Sequence, residues 1–296
     1  MTLREQPRAG FVVAGMTAFE NPWLVVNSAS GSFDAAAVGG VLAALAANDW
    51  AARRVVDLQE DRLPDRAEMA AAAADLAVVF AGDGTVNALG NAIEGWGGQL
   101  LVLPGGTANL LARELHGDRC LEEILAGLPR LRCTRRGCVR TGHGKALAEV
   151  LAGPGATWAD VREELRDGQV GEVARKGVEA IRQSVAGPMV ALAQPAVGRG
   201  DGYAGIRLVP VDGALVAEGY RAQDTADLVR QGVALLKRNF REGPHDELGH
   251  FGDVVCRSLG NEPIDLMIDG EQRTGASEER FSLAEFDLDL LASADG

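Results

Sequence analysis

Leu76-Ala77-Val78-Val79-Phe80-Ala81-Gly82-Asp83-Gly84-Thr85 is the stretch from which the rest of the chain can be read. Leu76 to Phe80 is apolar without alternation, which predicts a strand buried on both faces. It runs straight into glycines, and a helical pattern resumes from Thr85 to Ile93. Strand, glycine loop and helix form the repeating unit of parallel sheets. The unit recurs on either side. Upstream, Trp23 to Val26 leads into a polar loop, Asn27 to Ser32, and an Ala-rich helix over Asp34 to Ala47 with Asp34 as its N-cap. Val55 to Leu58 and a helix over Pro64 to Ala74 follow. Downstream, Leu100 to Leu103 ends at Pro104-Gly105-Gly106-Thr107-Ala108-Asn109, with a helix from Leu110 to Leu115. Four such units in series predict an α/β, doubly wound parallel sheet with helices on both faces. Ligands of these sheets sit beyond the carboxyl ends of the strands. Three of the four ends carry Gly/Ser/Thr/Asn loops, the strongest functional signal in the sequence.

After Pro129 the texture changes. Strand-like pieces dominate: Gly137 to Thr141, Ala146 to Leu151, Met189 to Ala193, Ile206 to Val209, Ala214 to Val216, Ile264 to Ile268 and Phe286 to Leu291. Two runs between them look helical, Trp158 to Val185 and Gln223 to Arg238. The expected architecture is therefore an N-terminal α/β domain over 21–130 and a mainly β, sandwich-like C-terminal domain over 131–296, with the site in the cleft between them. The 296-residue length agrees with two domains.

Composition narrows the classes. The charged fraction of 24% and hydrophobic fraction of 47% are globular. A net charge of −13 argues against nucleic acid as a partner, because phosphate binding needs clustered cations. Cys120, Cys133, Cys138 and Cys256 are too scattered for a disulfide scaffold. Cys133, Cys138 and His143 lack the fourth ligand of a structural zinc site, and His245 and His250 are spaced five apart, not four. The start of the chain has only a short apolar run and no segment reaches a membrane span, so a cytoplasmic location is expected.

The glycine loops can be tested against phosphate chemistries. There is no Walker A loop. Gly82-Asp83-Gly84 begins like a dinucleotide fingerprint, but Asn87 stands where the third glycine belongs, which disfavours a nicotinamide-dependent oxidoreductase. Gly200-Asp201-Gly202-Tyr203-Ala204-Gly205 matches the pattern yet precedes a strand, and reads as a turn. Around Gly82 and Gly84 the backbone can turn sharply and let N–H groups approach an anion, with the following helix adding its positive end. Asp83 would repel bare phosphate unless Mg²⁺ bridges the two, or unless it polarises an incoming hydroxyl. A tight turn with Asp83 as a cap explains the same residues equally well.

Three segments, Val25-Val26-Asn27-Ser28-Ala29-Ser30-Gly31, Val79-Phe80-Ala81-Gly82-Asp83-Gly84-Thr85-Val86-Asn87 and Leu103-Pro104-Gly105-Gly106-Thr107-Ala108-Asn109-Leu110-Leu111-Ala112-Arg113, resemble the diacylglycerol kinase catalytic-domain family, which includes sphingosine and ceramide kinases. The likeness covers residues 21 to 116 clearly and the second domain only at isolated points, Ile268-Asp269-Gly270-Glu271 and Pro210-Val211-Asp212-Gly213. It implies an ATP- and Mg²⁺-dependent kinase for a lipid alcohol. Asn27, Ser28, Ser30 and Gly31 would contact the nucleotide phosphates. Gly82, Asp83, Gly84 and Thr85 would form the central ATP loop, with Asp83 a catalytic residue close to Mg²⁺ and the reacting groups. Gly106 and Thr107 would complete the cradle and Asn109 would brace it. Glu271 would be the general base, assisted by Asp269, and Asp212 would hold a structural Mg²⁺. Asp269-Gly270 reads without the resemblance as a hairpin turn, and Asp212-Gly213 as a turn or a metal site.

There are departures. Ala81 replaces a glycine, Leu110 stands where many members have Asp, and Ala152 to Trp158 replaces a stretch whose acid is absent unless Asp160 substitutes. A nucleotide-binding regulator without catalysis, or a kinase for a soluble acceptor akin to the NAD kinases, are the alternatives. Arg130, Arg132, Arg135, Arg136, Arg140 and Lys145 fall in an interval without acids, from Ile124 to Ala148. That segment suggests transient contact with an anionic membrane surface, against the plainer reading of a solvated face.

Overall fold

The structure is a computed structural model that describes residues 19–157, 188–211, 213–221 and 245–294. The helical runs expected at 158–185 and 223–238, together with Asp160 and Asp212, lie outside the described residues. The chain divides into two compact units, Met1–Arg136 with Phe286–Gly296, and Gly137–Glu285.

The first unit follows the strand-loop-helix pattern: β1 Pro22–Val26, α1 Ala35–Ala47, β2 Arg54–Asp57, α2 Arg66–Ala71, β3 Leu76–Ala81, α3 Asp83–Ile93, β4 Gln99–Pro104, α4 Leu110–His116, α5 Leu121–Ala126 and β5 Arg132–Thr134. Asp34 caps α1, accepting from the N–H groups of Ala36 and Ala37, and Asp65 caps α2 through Glu68 N–H. Residues of β3 are buried on both sides. One face, with Leu24, Val26, Leu76, Val78, Phe80, Leu101 and Leu103, packs on Val41 and Leu45 of α1 and Ile124 of α5. Helices α3 and α4 contact β3 and β4 respectively.

The second unit contains β6 Gly137–Thr141, β7 Gly144–Ala146, β8 Val150–Ala152, β9 Val190–Gln194, β10 Ala196–Val197, β11 Gly205–Val211, β12 Ala214–Tyr220, β13 Asp246–Phe251, β14 Asp253–Ser258, β15 Asp265–Ile268, β16 Glu271–Thr274 and β17 Glu278–Glu285. They form two six-stranded sheets, ordered β10-β9-β14-β17-β6-β7 and β13-β12-β11-β8-β15-β16. Val139, Leu192, Val254 and Phe281 of the first sheet share one core with Val150, Ile206, Leu215 and Leu266 of the second. The protein thus has an N-terminal α/β parallel-sheet unit and a mainly β second unit in which two sheets pack on a common core.

One strand departs from the expected division at 130/131. Residues Asp289–Ala292 form β18, which enters the first unit's sheet in the order β2-β1-β3-β4-β18-β5. It pairs parallel to β4 and antiparallel to β5. Its apolar Leu290 and Leu291 are fully buried there, and nothing local to those residues distinguishes one sheet from the other. The second unit is accordingly an insertion between β5 and β18.

His116 fastens this arrangement. Its Nε2 lies 3.0 Å from the Val102 carbonyl of β4, and its Nδ1 lies 3.0 Å from Ser293 Oγ, just past β18. A carbonyl can only accept, so Nε2 carries the proton and Nδ1 accepts from the Ser293 hydroxyl. Burial lowers the His116 pKa from 6.5 to about 4. The folded state therefore holds the ring neutral while the unfolded state takes up a proton. Stability from this source is intact above pH 6.5 and is lost as the pH falls from 6.5 towards 4. The loss amounts to about 3 kcal/mol at most. Urea titrations across this range should show that pH dependence in the wild type and a flatter one in His116→Gln, whose amide can make both bonds without titrating.

Candidate functional site

The order β2-β1-β3-β4 places β2 on one side of β1 and β3 on the other. The chain leaves β1 in one direction and returns in the other, so the β1/β3 gap is the topological switch point of the sheet. The loops after β1, β3 and β4 stand side by side at this carboxyl edge, where contacts join Asn27 to Thr85, Gly82 to Gly106 and Asp83 to Asn109.

The β3 loop is shorter than expected. Gly82 alone separates strand from helix, and Asp83, Gly84 and Thr85 are the first turn of α3, not a loop before it. No side chain caps this eleven-residue helix, so its positive end is presented at the edge of the sheet. Gly106 approaches from the β4 side. A Cβ added there would lie 2.5 Å from Gly82 Cα, and one at Gly105 would lie 2.6 Å from Ala81 N. Glycines are therefore required by the close passage of two backbones. Ala81, the departure from the usual glycine, is buried as the last residue of β3.

Asn109 closes its own loop: Oδ1 accepts from Gly106 N–H at 2.7 Å and Nδ2 donates to the Gly106 carbonyl at 3.0 Å. It does so with a left-handed backbone, φ 53°. The N-terminus of α4, left uncapped by Asn109, is capped by Asp83. The carboxylate accepts from Asn109 N–H at 2.9 Å and from Leu110 N–H. Asp83 is thus a cap, as the turn chemistry suggested, but of the neighbouring helix. Leu110, where an acid is more usual, is buried at the start of α4.

From the β1 side, Asn27 Nδ2 lies 3.5 Å from Thr85 Oγ1, which spans the switch point. Ser30 and Ser32 hydroxyls are 3.0 Å apart, and Ser32 donates to the Gly105 carbonyl at 2.9 Å. Gly31 and Thr107 are exposed. Ser28 turns towards β2, where its N–H donates to Asp57 at 3.0 Å and its hydroxyl to Gln59 at 2.7 Å. Ser32, Asp57 and Gln59 were not singled out from sequence; Asp57 ends a strand at the same sheet edge, which is the signal that could have found it.

In the second unit, Ile268-Asp269-Gly270-Glu271 is a two-residue hairpin between β15 and β16. Both central residues have positive φ, 45° and 84°, the signature of a type I′ turn. The Asp269 carboxylate is buried and accepts from three successive N–H groups, Leu147 (2.5 Å), Ala148 (2.9 Å) and Glu149 (2.9 Å). It fixes the turn to the strand before β8. Glu271 is half exposed and lies 3.8 Å from Arg273. Behind Asp269, Arg207 forks between Glu149 (2.7 Å) and Glu218 (2.9 Å), which also accepts from Tyr220 at 2.9 Å.

The acid-free interval in sequence is not acid-free in space. Arg135 pairs with Asp287 and Asp289, and Arg136 with Glu114. Arg130, Arg132 and Arg140 are exposed.

A doubly wound sheet with three loops gathered at its switch point offers backbone groups where such sheets receive ligands. Residues 21–140 match the family model of the diacylglycerol kinase catalytic domain. A diacylglycerol kinase from Bacillus anthracis is similar in fold, with a TM-score of 0.61 at 16% identity, over 95% of this chain and 99% of the other. A second Bacillus anthracis structure, of a proposed diacylglycerol kinase, gives 0.63 at 17% identity over 95% and 100%. No curated protein sequence matches the chain.

Proposed function

We propose that the chain is an ATP- and Mg²⁺-dependent kinase that phosphorylates a hydroxyl of a lipid alcohol: diacylglycerol, a sphingoid base or ceramide. The observation that carries this reading is the cradle at the β1/β3 switch point, within a segment that matches the diacylglycerol kinase catalytic domain. The cradle suits phosphate: an uncapped helix end with glycines at 82 and 84 where backbone N–H groups can come close, and Gly106 leaving room for the Gly82 backbone. No group of three or more acidic, histidine or cysteine ligands occurs among the described residues. Asp83 brings one carboxylate to the cradle, which suits Mg²⁺ held largely by nucleotide phosphates. ATP with Mg²⁺ supplies the phosphoryl group and neutralises its charge. Asn27 and Thr85 then border the phosphates, and Asn109 and Asp83 keep the two glycine turns together.

Glu271 takes the proton of the acceptor hydroxyl, and Asp269 acts by holding the turn that carries Glu271. A lipid acceptor also entails a visit to an anionic bilayer, for which Arg130, Arg132 and Arg140 are available cations. The test is transfer of ³²P from γ-labelled ATP to a panel of lipids, with the product identified by mass spectrometry. Glu271→Gln should fold normally and lose about a hundredfold or more in transfer. Undiminished transfer would remove Glu271 from its role. ATP binding with no transfer to any lipid would favour a nucleotide-binding regulator instead.

A further inference from the structure

We propose that Asp57 and Gln59, at the end of β2, read the ribose of the bound nucleotide: the Asp57 carboxylate accepts from one sugar hydroxyl, and the Gln59 amide donates to its neighbour. This rests on the nucleotide reading above and extends it to a part of the ligand that the glycine loops do not address.

Place is the first ground. Strand β2 lies directly beside β1, so its carboxyl end flanks the β1 loop on the side away from β3 and β4. Phosphates seated between the β1, β3 and β4 loops leave the rest of a nucleotide to extend along the same edge, and the end of β2 is one of its two flanks. In doubly wound sheets an acidic residue placed this way can bind ribose hydroxyls.

Charge is the second. Ser28 N–H (3.0 Å) and Gln59 N–H (3.1 Å) both donate to Asp57 Oδ1. Hydrogen bonding to Ser28 holds the Asp57 carboxyl below its usual range. A fixed carboxylate touching Ser28 is a poor neighbour for phosphate. It suits a neutral, hydroxyl-bearing portion of the ligand, so Ser28 marks where the β1 loop passes from phosphate to sugar.

The third ground is donor and acceptor balance. Both backbone bonds end on Oδ1, and a carboxylate has further lone pairs to accept from a hydroxyl. Gln59 is exposed, and its Oε1 accepts from the Ser28 hydroxyl at 2.7 Å, which leaves its amide N–H groups as donors. An acceptor beside a donor is what a vicinal diol requires.

Calorimetric titration of the whole protein with ADP, 2′-deoxy-ADP and 3′-deoxy-ADP tests this without relying on turnover. The wild type should bind ADP about tenfold or more tightly than at least one deoxy analogue, as expected for a hydrogen bond to a charged group. Asp57→Ala should weaken ADP by a similar factor and bind that analogue as before, so that the preference collapses. Asp57→Asn can keep both backbone N–H bonds through Oδ1. It should melt with the wild type and still lose most of the preference. A wild type indifferent to the sugar hydroxyls, or variants that keep its preference, would overturn the assignment while leaving nucleotide binding in place. A wild type that binds none of the three would overturn the nucleotide reading itself.

Discussion

Asp83→Ala is expected to cost both stability and nucleotide affinity, and to cost them together. The carboxylate accepts from Asn109 and Leu110 N–H groups, so its removal strips α4 of its cap and unties the β4 loop from the start of α3. Two charge-assisted bonds to backbone donors are lost. At about 1.5 kcal/mol or more each, the loss is roughly 3 kcal/mol before relaxation. A fall in melting temperature on the order of 10 °C follows for a unit of this size. ADP affinity should drop with it, because Gly82 and Gly106 keep their spacing only while the two turns stay joined. Asp83→Asn separates the contributions. Its single oxygen can serve one N–H while its amide nitrogen confronts the other, so stability should fall about half as far. Thermal melts paired with ADP titrations would measure both. A variant as stable as the wild type would show that Asp83 does not brace the site.

Arg207→Met is expected to have the largest effect in the second unit. Arg207 is the cation between Glu149 and Glu218 in a setting where all three side chains are largely buried. Removing one partner of such a group leaves uncompensated charge and costs about 3–5 kcal/mol. Arg207→Lys should recover only part of this, because an ammonium cannot fork to two carboxylates as a guanidinium does. The sign of the pH response supplies a check. With Met at 207, the two carboxylates repel, their folded-state pKa values rise above the unfolded ones, and stability should improve as the pH is lowered into their titration range. Urea unfolding of the variant at several pH values would reveal it. Joint replacement of Glu149, Arg207 and Glu218 by apolar residues of similar size should restore much of the loss.

The first unit was legible because its signals are local. Gly82, Gly105 and Gly106 directly follow strands, and a run such as Leu76 to Phe80 predicts its own burial. The Asp34 cap of α1 was equally visible. What bound the loops together was not. Asp83 and the helix it caps are separated by a whole strand and helix, so its carboxylate read as a metal ligand, as a group that polarises a hydroxyl or as a cap for its own turn. Ser28 was assigned to phosphate with its neighbours, since nothing in sequence says that β2 lies beside β1 and turns Ser28 towards Asp57. In the second unit, β16 is Glu-Gln-Arg-Thr, polar and exposed throughout, and exists as a strand because the Asp269-Gly270 turn folds it back on β15. β13 and β17 are half-polar for the same reason, as strands with one solvated side. The short helix α5 was also missed; six residues, Leu-Glu-Glu-Ile-Leu-Ala, give little periodicity to detect.

The place of β18 bears on how the protein is made. It lies between β4 and β5, although the entire second unit is synthesised before it. While the chain is being translated, β4 has an open edge and β5 has no partner, even though the glycine turns have already left the ribosome. The contiguous unit Gly137–Glu285 can complete its own sheets first. The first unit's sheet closes only when Asp289–Ala292 threads back into the gap and His116 can reach Ser293. The segment that was first in sequence is thus the later of the two to finish, and an early stop codon that spares every glycine loop still leaves its sheet open.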